Sequence, residues 1–244
     1  MRADFSGILI VVPAWNEEES VGAVVRDVRH TLPGATCLVV DDGSTDSTSL
    51  RAKEAGARVV RLPFNLGVGG AMRLGFKFAR DAGFDAVVQI DADGQHNPAD
   101  VPALLDALRT SDIAIGARFA GVGEYAARGP RRWAMRLLSS VLSRVARTKL
   151  TDTTSGFRAC GPKAMAIFAE NYPAEYLGDT IEALVIAARE GCVLTQVPVA
   201  MNPRMAGTPS HNPAKAAVYL ARVVLSLVFA LVKPTSSYRE AAAT

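Results

Sequence analysis

Two aspartates one residue apart, in the run Asp91-Ala92-Asp93-Gly94-Gln95-His96, carry the strongest chemical signal in the chain. They follow an apolar segment, Ala86 to Ile90, that reads as a buried strand. Carboxylates so placed can share a hard divalent cation through oxygen ligands. Mg²⁺ favours such partial cages, completed by phosphate oxygens and water. A cation held there offsets the charge of a diphosphate and stabilises it as a leaving group. A D-x-D pair alone is common and is usually a solvated turn, so other residues must support the reading.

Two other strand ends supply that support. Asp41-Asp42-Gly43-Ser44-Thr45-Asp46 follows the apolar run Cys37 to Val40. Ser44 and Asp46 are explained as helix N-capping groups. Two adjacent acids at the mouth of a buried strand are not, because repulsion and desolvation both cost free energy. A base or ribose hydrogen-bonded to them accounts for at least one. Pro13-Ala14-Trp15-Asn16-Glu17-Glu18 follows the apolar run Ile8 to Val12. Trp15 there is either core or a flat surface on which a nucleobase stacks beside a carboxylate. The turn Asn65-Leu66-Gly67-Val68-Gly69-Gly70 can cradle phosphate on backbone N–H groups, although it matches neither the P-loop nor G-x-G-x-x-G.

Strands alternating with helices must position these residues. Strands are expected over Ile8 to Val12 (stopped by Pro13), Cys37 to Val40, Arg58 to Leu62, Ala86 to Ile90, Ile113 to Gly116 and Val193 to Val199. Helices are expected from Glu17 to His30 with an acidic first turn, from about Asp46, from the Gly-rich turn to Gly83, and over Arg131 to Thr148, Leu177 to Arg189 and Ala214 to Val232. The alternation implies an α/β fold with a largely parallel sheet and helices on both faces. Ligands of such sheets bind beyond the carboxyl ends of the strands. The acids, distant in sequence, should therefore gather along one sheet edge.

Composition narrows the functional classes. The 244 residues are 49% hydrophobic and 21% charged, a length for one large domain or two small ones and enough for a sizeable core. The 27 basic and 24 acidic residues leave a net charge of only +3, so the chain is not a nucleic-acid binder by global charge. A local excess does exist, with seven Lys or Arg and no acid between Tyr125 and Thr151. Cys37, Cys160 and Cys192 lack metal or disulfide spacing and read as small core thiols. No secretory signal is evident at the amino terminus, which points to a reducing cytoplasm.

In order along the chain, Pro13-Ala14-Trp15-Asn16-Glu17, Asp41-Asp42-Gly43-Ser44, Asn65-x-Gly67 and Asp91-x-Asp93-x-Gln95-His96 resemble family 2 glycosyltransferases of the GT-A fold. Gly116-Ala117-Arg118-Phe119, Arg136 with Ser140, Asp152-Thr153-Thr154-Ser155-Gly156-Phe157-Arg158 and Arg204-x-x-Gly207-x-x-Ser210 resemble the polyprenyl-phosphate (dolichol-phosphate) mannosyl- and glucosyltransferase branch. The resemblance runs from Ile8 to His211. It implies a GT-A domain over residues 1–213, followed by a carboxyl-terminal amphipathic helix and tail over 214–244.

The same resemblance implies roles. Pro13, Trp15, Glu17 and Asp41 would hold the nucleoside of a UDP- or GDP-hexose, with Asp42, Asn65, Gly70 and Asp91 in the same donor site. Asp91, Asp93 and Gln95 would hold Mg²⁺ or Mn²⁺. Arg118, Arg136, Ser140, Arg204 and Ser210 would meet the diphosphate and the acceptor phosphate, and guanidinium groups suit phosphate by bidentate bonding. Asp93, Arg118 and Asp152 are the catalytic candidates.

The expected reaction is inverting transfer of a hexose from a nucleotide-sugar to a polyprenyl phosphate. A lipid phosphate is already ionised near neutral pH, so attack needs no strong base. A hydroxyl acceptor, on a saccharide or small molecule, would need one, and Asp152 is the first candidate; its plainer role is a loop cap beside Thr153 and Thr154. The remaining alternatives are a nucleotidyltransferase, which would release pyrophosphate, and a non-catalytic nucleotide-sugar binder. Ala216 to Val232 is apolar but interrupted by Arg222, which is marginal for spanning a bilayer. Peripheral attachment to the cytoplasmic face of the membrane, with room for a small membrane-protein partner, is expected.

Overall fold

The computed structural model describes residues 4–117, 142–146, 148–173 and 179–204. Its centre is a sheet of β1 (Ile8–Ala14), β2 (Thr36–Asp41), β3 (Arg58–Arg61), β4 (Ala86–Gln89), β5 (Ile113–Ala117), β6 (Arg158–Cys160) and β7 (Leu194–Pro198), in the order β3-β2-β1-β4-β6-β5-β7. All neighbouring pairs are parallel except those of β6, which runs antiparallel to both β4 and β5. The flanking helices are α1 (Val21–Thr31), α2 (Thr48–Glu54), α3 (Gly67–Ala82), α4 (Val101–Ala107), α5 (Pro162–Asn171) and α6 (Asp179–Arg189). The mostly parallel α/β architecture is the one expected.

Helices cover both faces of the sheet, which is why the central strands are continuous apolar runs. On β1, Leu9 and Val11 share a buried cluster with Met72 and Phe76 of α3, while Ile10 and Val12 share the opposite one with Val21, Val24 and Val25 of α1. Helix α3 lies very close to the sheet. A Cβ at Gly75 would stand 2.7 Å from Val11 Cγ1, so only glycine permits this approach. The three cysteines are buried, and burial pushes their thiols up to about 12 for Cys37 and Cys160 and about 11 for Cys192.

Several expected boundaries move. Strand β1 continues through Pro13, because β1–β4 pairing ends at Val11↔Gln89 and the missing N–H breaks no ladder on that side. Helix α1 begins at Val21 rather than Glu17, and its first turn has no acid. Glu17 instead accepts from the Ser20 hydroxyl and forms a turn before the helix. The glycine-rich turn is mostly helix: α3 starts at Gly67, so Gly69 and Gly70 lie in its first turn. Short β6, α4 and α5 escape the periodicity reading. The helix expected over residues 131–148 falls outside the described residues except at 142–146, which are helical, and at 148. The carboxyl-terminal helix falls outside them entirely.

Candidate functional site

Because β2, β1 and β4 are neighbours in the sheet, their carboxyl ends meet at one edge. The ends of β1 and β2 are laced together by polar groups. Asn16 takes φ of +53° and donates its backbone N–H to Ser44 Oγ at 2.9 Å. Its side-chain oxygen accepts from Thr45 N–H at 2.8 Å, and Glu17 N–H donates to Thr48 Oγ1 at 2.8 Å. This lacing leaves Trp15 projecting from the edge, 48% exposed, rather than in the core. Pro13, two residues earlier in β1, is buried.

The adjacent acids Asp41 and Asp42 are both buried, and both have partners. Asp41 accepts from Ser44 N–H at 2.8 Å and from the Ser49 hydroxyl, with Arg61 Nε 3.8 Å away. Asp42 accepts the N–H groups of Leu66 and Gly67 at 2.7 and 2.8 Å, and so takes up free donors at the start of α3. Burial pushes the Asp42 carboxyl above its usual value, the two N–H groups pull it back, and Asp41 pushes it further. These bonds explain the burial of two neighbouring acids without any ligand. Asn65 also turns inward, its oxygen accepting from Gly67 N–H at 3.0 Å.

A second group lies at the end of β4. Asp91, with a side chain 38% exposed, accepts from Gln89 Nε2 at 3.0 Å. Asp93 Oδ1 accepts from Gln95 N–H at 3.0 Å, and its Oδ2 is 2.9 Å from Arg204 Nη2. Arg204 is brought there by a strap: Asn202 N–H donates to Gln95 O at 2.9 Å, beside an antiparallel bridge between His96 and Met201. Glu17 feels the same cluster. Burial pushes its carboxyl up, the Ser20 hydroxyl lowers it, Asp93 raises it and Arg204 lowers it. Glu17, Asp93 and Arg204 therefore share one neighbourhood, although 187 positions separate the first from the last (204 − 17).

The donor set suits a hard cation only in part. Among the described residues, no three His, Cys, Asp or Glu side chains converge as a complete cage. Asp91 and Asp93 offer carboxylate oxygens at one strand end, an incomplete site of the kind that phosphate oxygens and water complete for Mg²⁺ or Mn²⁺. Gln95 is half-buried next to them. His96 is not available through Nδ1, which accepts from Asp91 N–H at 3.0 Å.

Asp152 is buried, and its Oδ1 accepts from Thr154 N–H and Oγ1 at 3.3 and 3.1 Å, which is the loop-capping role. Arg118, Arg136, Ser140 and Ser210 lie outside the described residues. Gln89 and Gly156 both touch the space around Asp91 and are not among the candidate residues that the sequence points to. Gln89 left a trace, being the one polar residue in the run Ala86 to Ile90. Gly156 left none.

The model of glycosyl transferase family 2 matches residues 9–168 of the chain. The chain is 31% identical over 210 residues to undecaprenyl-phosphate mannosyltransferase of Micrococcus luteus, covering 82% of this chain and 85% of that protein. It is 35% identical over 166 residues to polyprenol monophosphomannose synthase of Mycolicibacterium smegmatis, covering 62% of this chain and 60% of that one. Among solved structures, glucosyl-3-phosphoglycerate synthase of Mycobacterium tuberculosis, in complex with Mn²⁺, uridine diphosphate and phosphoglyceric acid, superposes with a TM-score of 0.71 at 23% identity. That match covers 94% of this chain and 80% of the other, and it shows a shared fold.

Proposed function

The chain belongs to glycosyl transferase family 2, and from that premise we propose that it moves a hexose from a nucleotide-sugar to a polyprenyl phosphate. Both relatives named above act on polyprenyl phosphates or form their mannose derivatives, as their names state. The observation that carries the reading is the convergence of Glu17, Asp93 and Arg204 at the carboxyl edge of the sheet, beside the projecting Trp15.

In this reading Trp15 stacks the base of the donor, and Glu17 and Asp41 border the nucleoside. Asp42 and Asn65 act from behind, by fixing the start of α3 whose first turn contains Gly70. Asp91, Asp93 and Gln95 are the residues that would hold Mg²⁺ or Mn²⁺. When bound, that ion neutralises the diphosphate and makes it a better leaving group. Arg204, paired with Asp93, would move to a phosphate, a task shared with Arg118, Arg136, Ser140 and Ser210. An acceptor phosphate oxygen bonds to the anomeric carbon while the bond from that carbon to the diphosphate oxygen breaks, and its electron pair leaves with the nucleoside diphosphate. A single in-line displacement inverts the anomeric centre. The attacking oxygen is already anionic, so catalysis rests on positioning and charge stabilisation rather than on a base.

Among the described residues no helix is long and apolar enough to cross a membrane. The acceptor is a lipid, and peripheral attachment to the cytoplasmic face brings the two together. The basic stretch from Tyr125 to Thr151 and the apolar Ala216 to Val232 are the segments assigned to that contact.

The experiment is a thermal-shift screen against UDP-, GDP- and dTDP-hexoses with and without Mn²⁺, followed by transfer to a short polyprenyl phosphate. A metal-dependent shift with one nucleotide identifies the donor base, because ligand binding to the native state raises stability by mass action. Release of the nucleoside diphosphate that requires the lipid phosphate supports the proposal. Equal turnover with a hydroxyl acceptor and no lipid overturns it.

A further inference from the structure

The surroundings of Asp91 are more elaborate than a strand-end carboxylate requires. Gln89 is buried in β4, yet its amide Nε2 spends its hydrogen bond on Asp91 Oδ1, at 3.0 Å, across two residues. His96 is buried as well, with its ring stacked on Phe157 at 4.8 Å and 14°. Its Nδ1 accepts from the Asp91 backbone N–H, which places the ring proton on Nε2. That Nε2 lies 3.6 Å from Asp91 Oδ2, beyond hydrogen-bond length, so the hold of His96 on Asp91 is the bond to its backbone N–H. Opposite them stands Gly156. A Cβ there would lie 2.8 Å from Gln89 Nε2, 3.1 Å from Asp91 Oδ2 and 3.3 Å from Oδ1. Residue 156 is therefore a wall with no side chain, flush against both carboxylate oxygens, and its neighbour Phe157 forms the floor under His96.

We propose that Gln89, His96 and Gly156 are positioning residues that fix the rotamer of Asp91, so that its carboxylate meets an arriving cation in one orientation. This rests on the reading of Asp91 as a cation ligand given above. A half-exposed aspartate without such support samples several rotamers and must lose that freedom when it binds. Here a donor on one oxygen, His96 holding the backbone N–H of the same residue and a bare backbone beside both oxygens leave one arrangement. A purely structural Gln89 is a poor choice, because a buried amide costs free energy that an apolar residue of the same length does not.

The test is Mn²⁺ titration of the full chain in the presence of UDP or GDP, with free Mn²⁺ read by its electron paramagnetic resonance signal, beside thermal unfolding of the metal-free protein. Gln89→Leu keeps the shape and removes the donor, and is expected to weaken Mn²⁺ binding by about tenfold or more, as loss of groups that orient a metal ligand does. Its metal-free melting temperature should stay at or above that of the wild type. Gly156→Ala intrudes on the carboxylate and should weaken Mn²⁺ binding by a similar factor. His96→Asn keeps an acceptor for the Asp91 N–H, loses Nε2, and should weaken it less. Wild-type Mn²⁺ affinity in Gln89→Leu and Gly156→Ala overturns the cradle alone, as does a lower melting temperature in Gln89→Leu with affinity unchanged. Wild-type protein that binds no Mn²⁺ with either nucleotide overturns the proposed function and the cradle with it.

Discussion

Arg204 Nη2 stands 2.9 Å from Asp93 Oδ2, so the second aspartate of the β4 pair is matched with a cation supplied from beyond β7. The match depends on the strap over residues 201–204, pinned by the Asn202 N–H bond to Gln95 O. Asp93 is nearly buried at 9% side-chain exposure, and a carboxylate there needs a positive partner. In the structure Arg204 is that partner. On the proposed function, a divalent cation arriving with a diphosphate would offer Asp93 a stronger partner and Arg204 a phosphate in exchange.

Arg204→Ala removes the competitor and the phosphate contact together. Mn²⁺ binding to nucleotide-free protein should tighten, by up to roughly fivefold given that Arg204 remains partly solvated. Turnover should fall by about tenfold or more, because a charge-assisted phosphate contact is lost. Metal titration and initial rates on the same variant check the two opposite signs.

Trp15 projects from the sheet edge and holds no core position. Trp15→Ala should weaken donor-nucleotide binding by about 1–3 kcal/mol, the usual worth of a stacked base, and leave the melting temperature nearly unchanged. Trp15→Phe should recover most of the loss. Calorimetric titration with the nucleotide found in the thermal-shift screen measures both.

Asp42 is expected to matter for stability more than for binding. Asp42→Asn leaves the Leu66 and Gly67 N–H groups sharing one acceptor oxygen, a loss of about 1–3 kcal/mol. The pH dependence should change as well. The native state holds a proton on Asp42 above its ordinary value, so the native chain binds that proton more tightly than the unfolded chain does. Its contribution to stability therefore falls as pH rises from the ordinary carboxylate value, about 4, through the raised native one. Urea midpoints over that window should lose this slope in Asp42→Asn.

Asp152 supplies the contrast between acceptor classes. Its oxygen caps the Thr153–Thr154 turn from a buried position. Asp152→Asn should lower stability while kcat with a polyprenyl phosphate falls by less than the roughly hundredfold or more that loss of a general base brings. The pH–rate profile should keep its shape. A lost basic limb with a large fall in kcat would instead make Asp152 the base of a hydroxyl acceptor reaction.

The acids at three strand ends were legible because each closes an apolar run, and the parallel fold class follows from the alternation of strands and helices. What could not be read was how each acid would be used. Asp41 and Asp42 look alike in sequence and both look unexplained. In the fold each is satisfied by backbone N–H groups, those of Asp42 coming from residues more than twenty positions away. Glu17 reads in the sequence both as part of an acidic first helical turn and as a donor-site residue; it precedes the helix, bonds Ser20 and feels the charges of Asp93 and Arg204. Gly156 carries no chemistry of its own, and its meaning lies in the carboxylate pressed against it.

The sequence by itself determined which segments are buried from both sides and which of their ends are polar, because periodicity and residue type are local properties of the chain. Only the tertiary structure decided which polar groups are free to meet a ligand and which are consumed in holding the edge together. The reason is physical: a carboxylate is available only after the donors around it are counted, and those donors arrive from other strands.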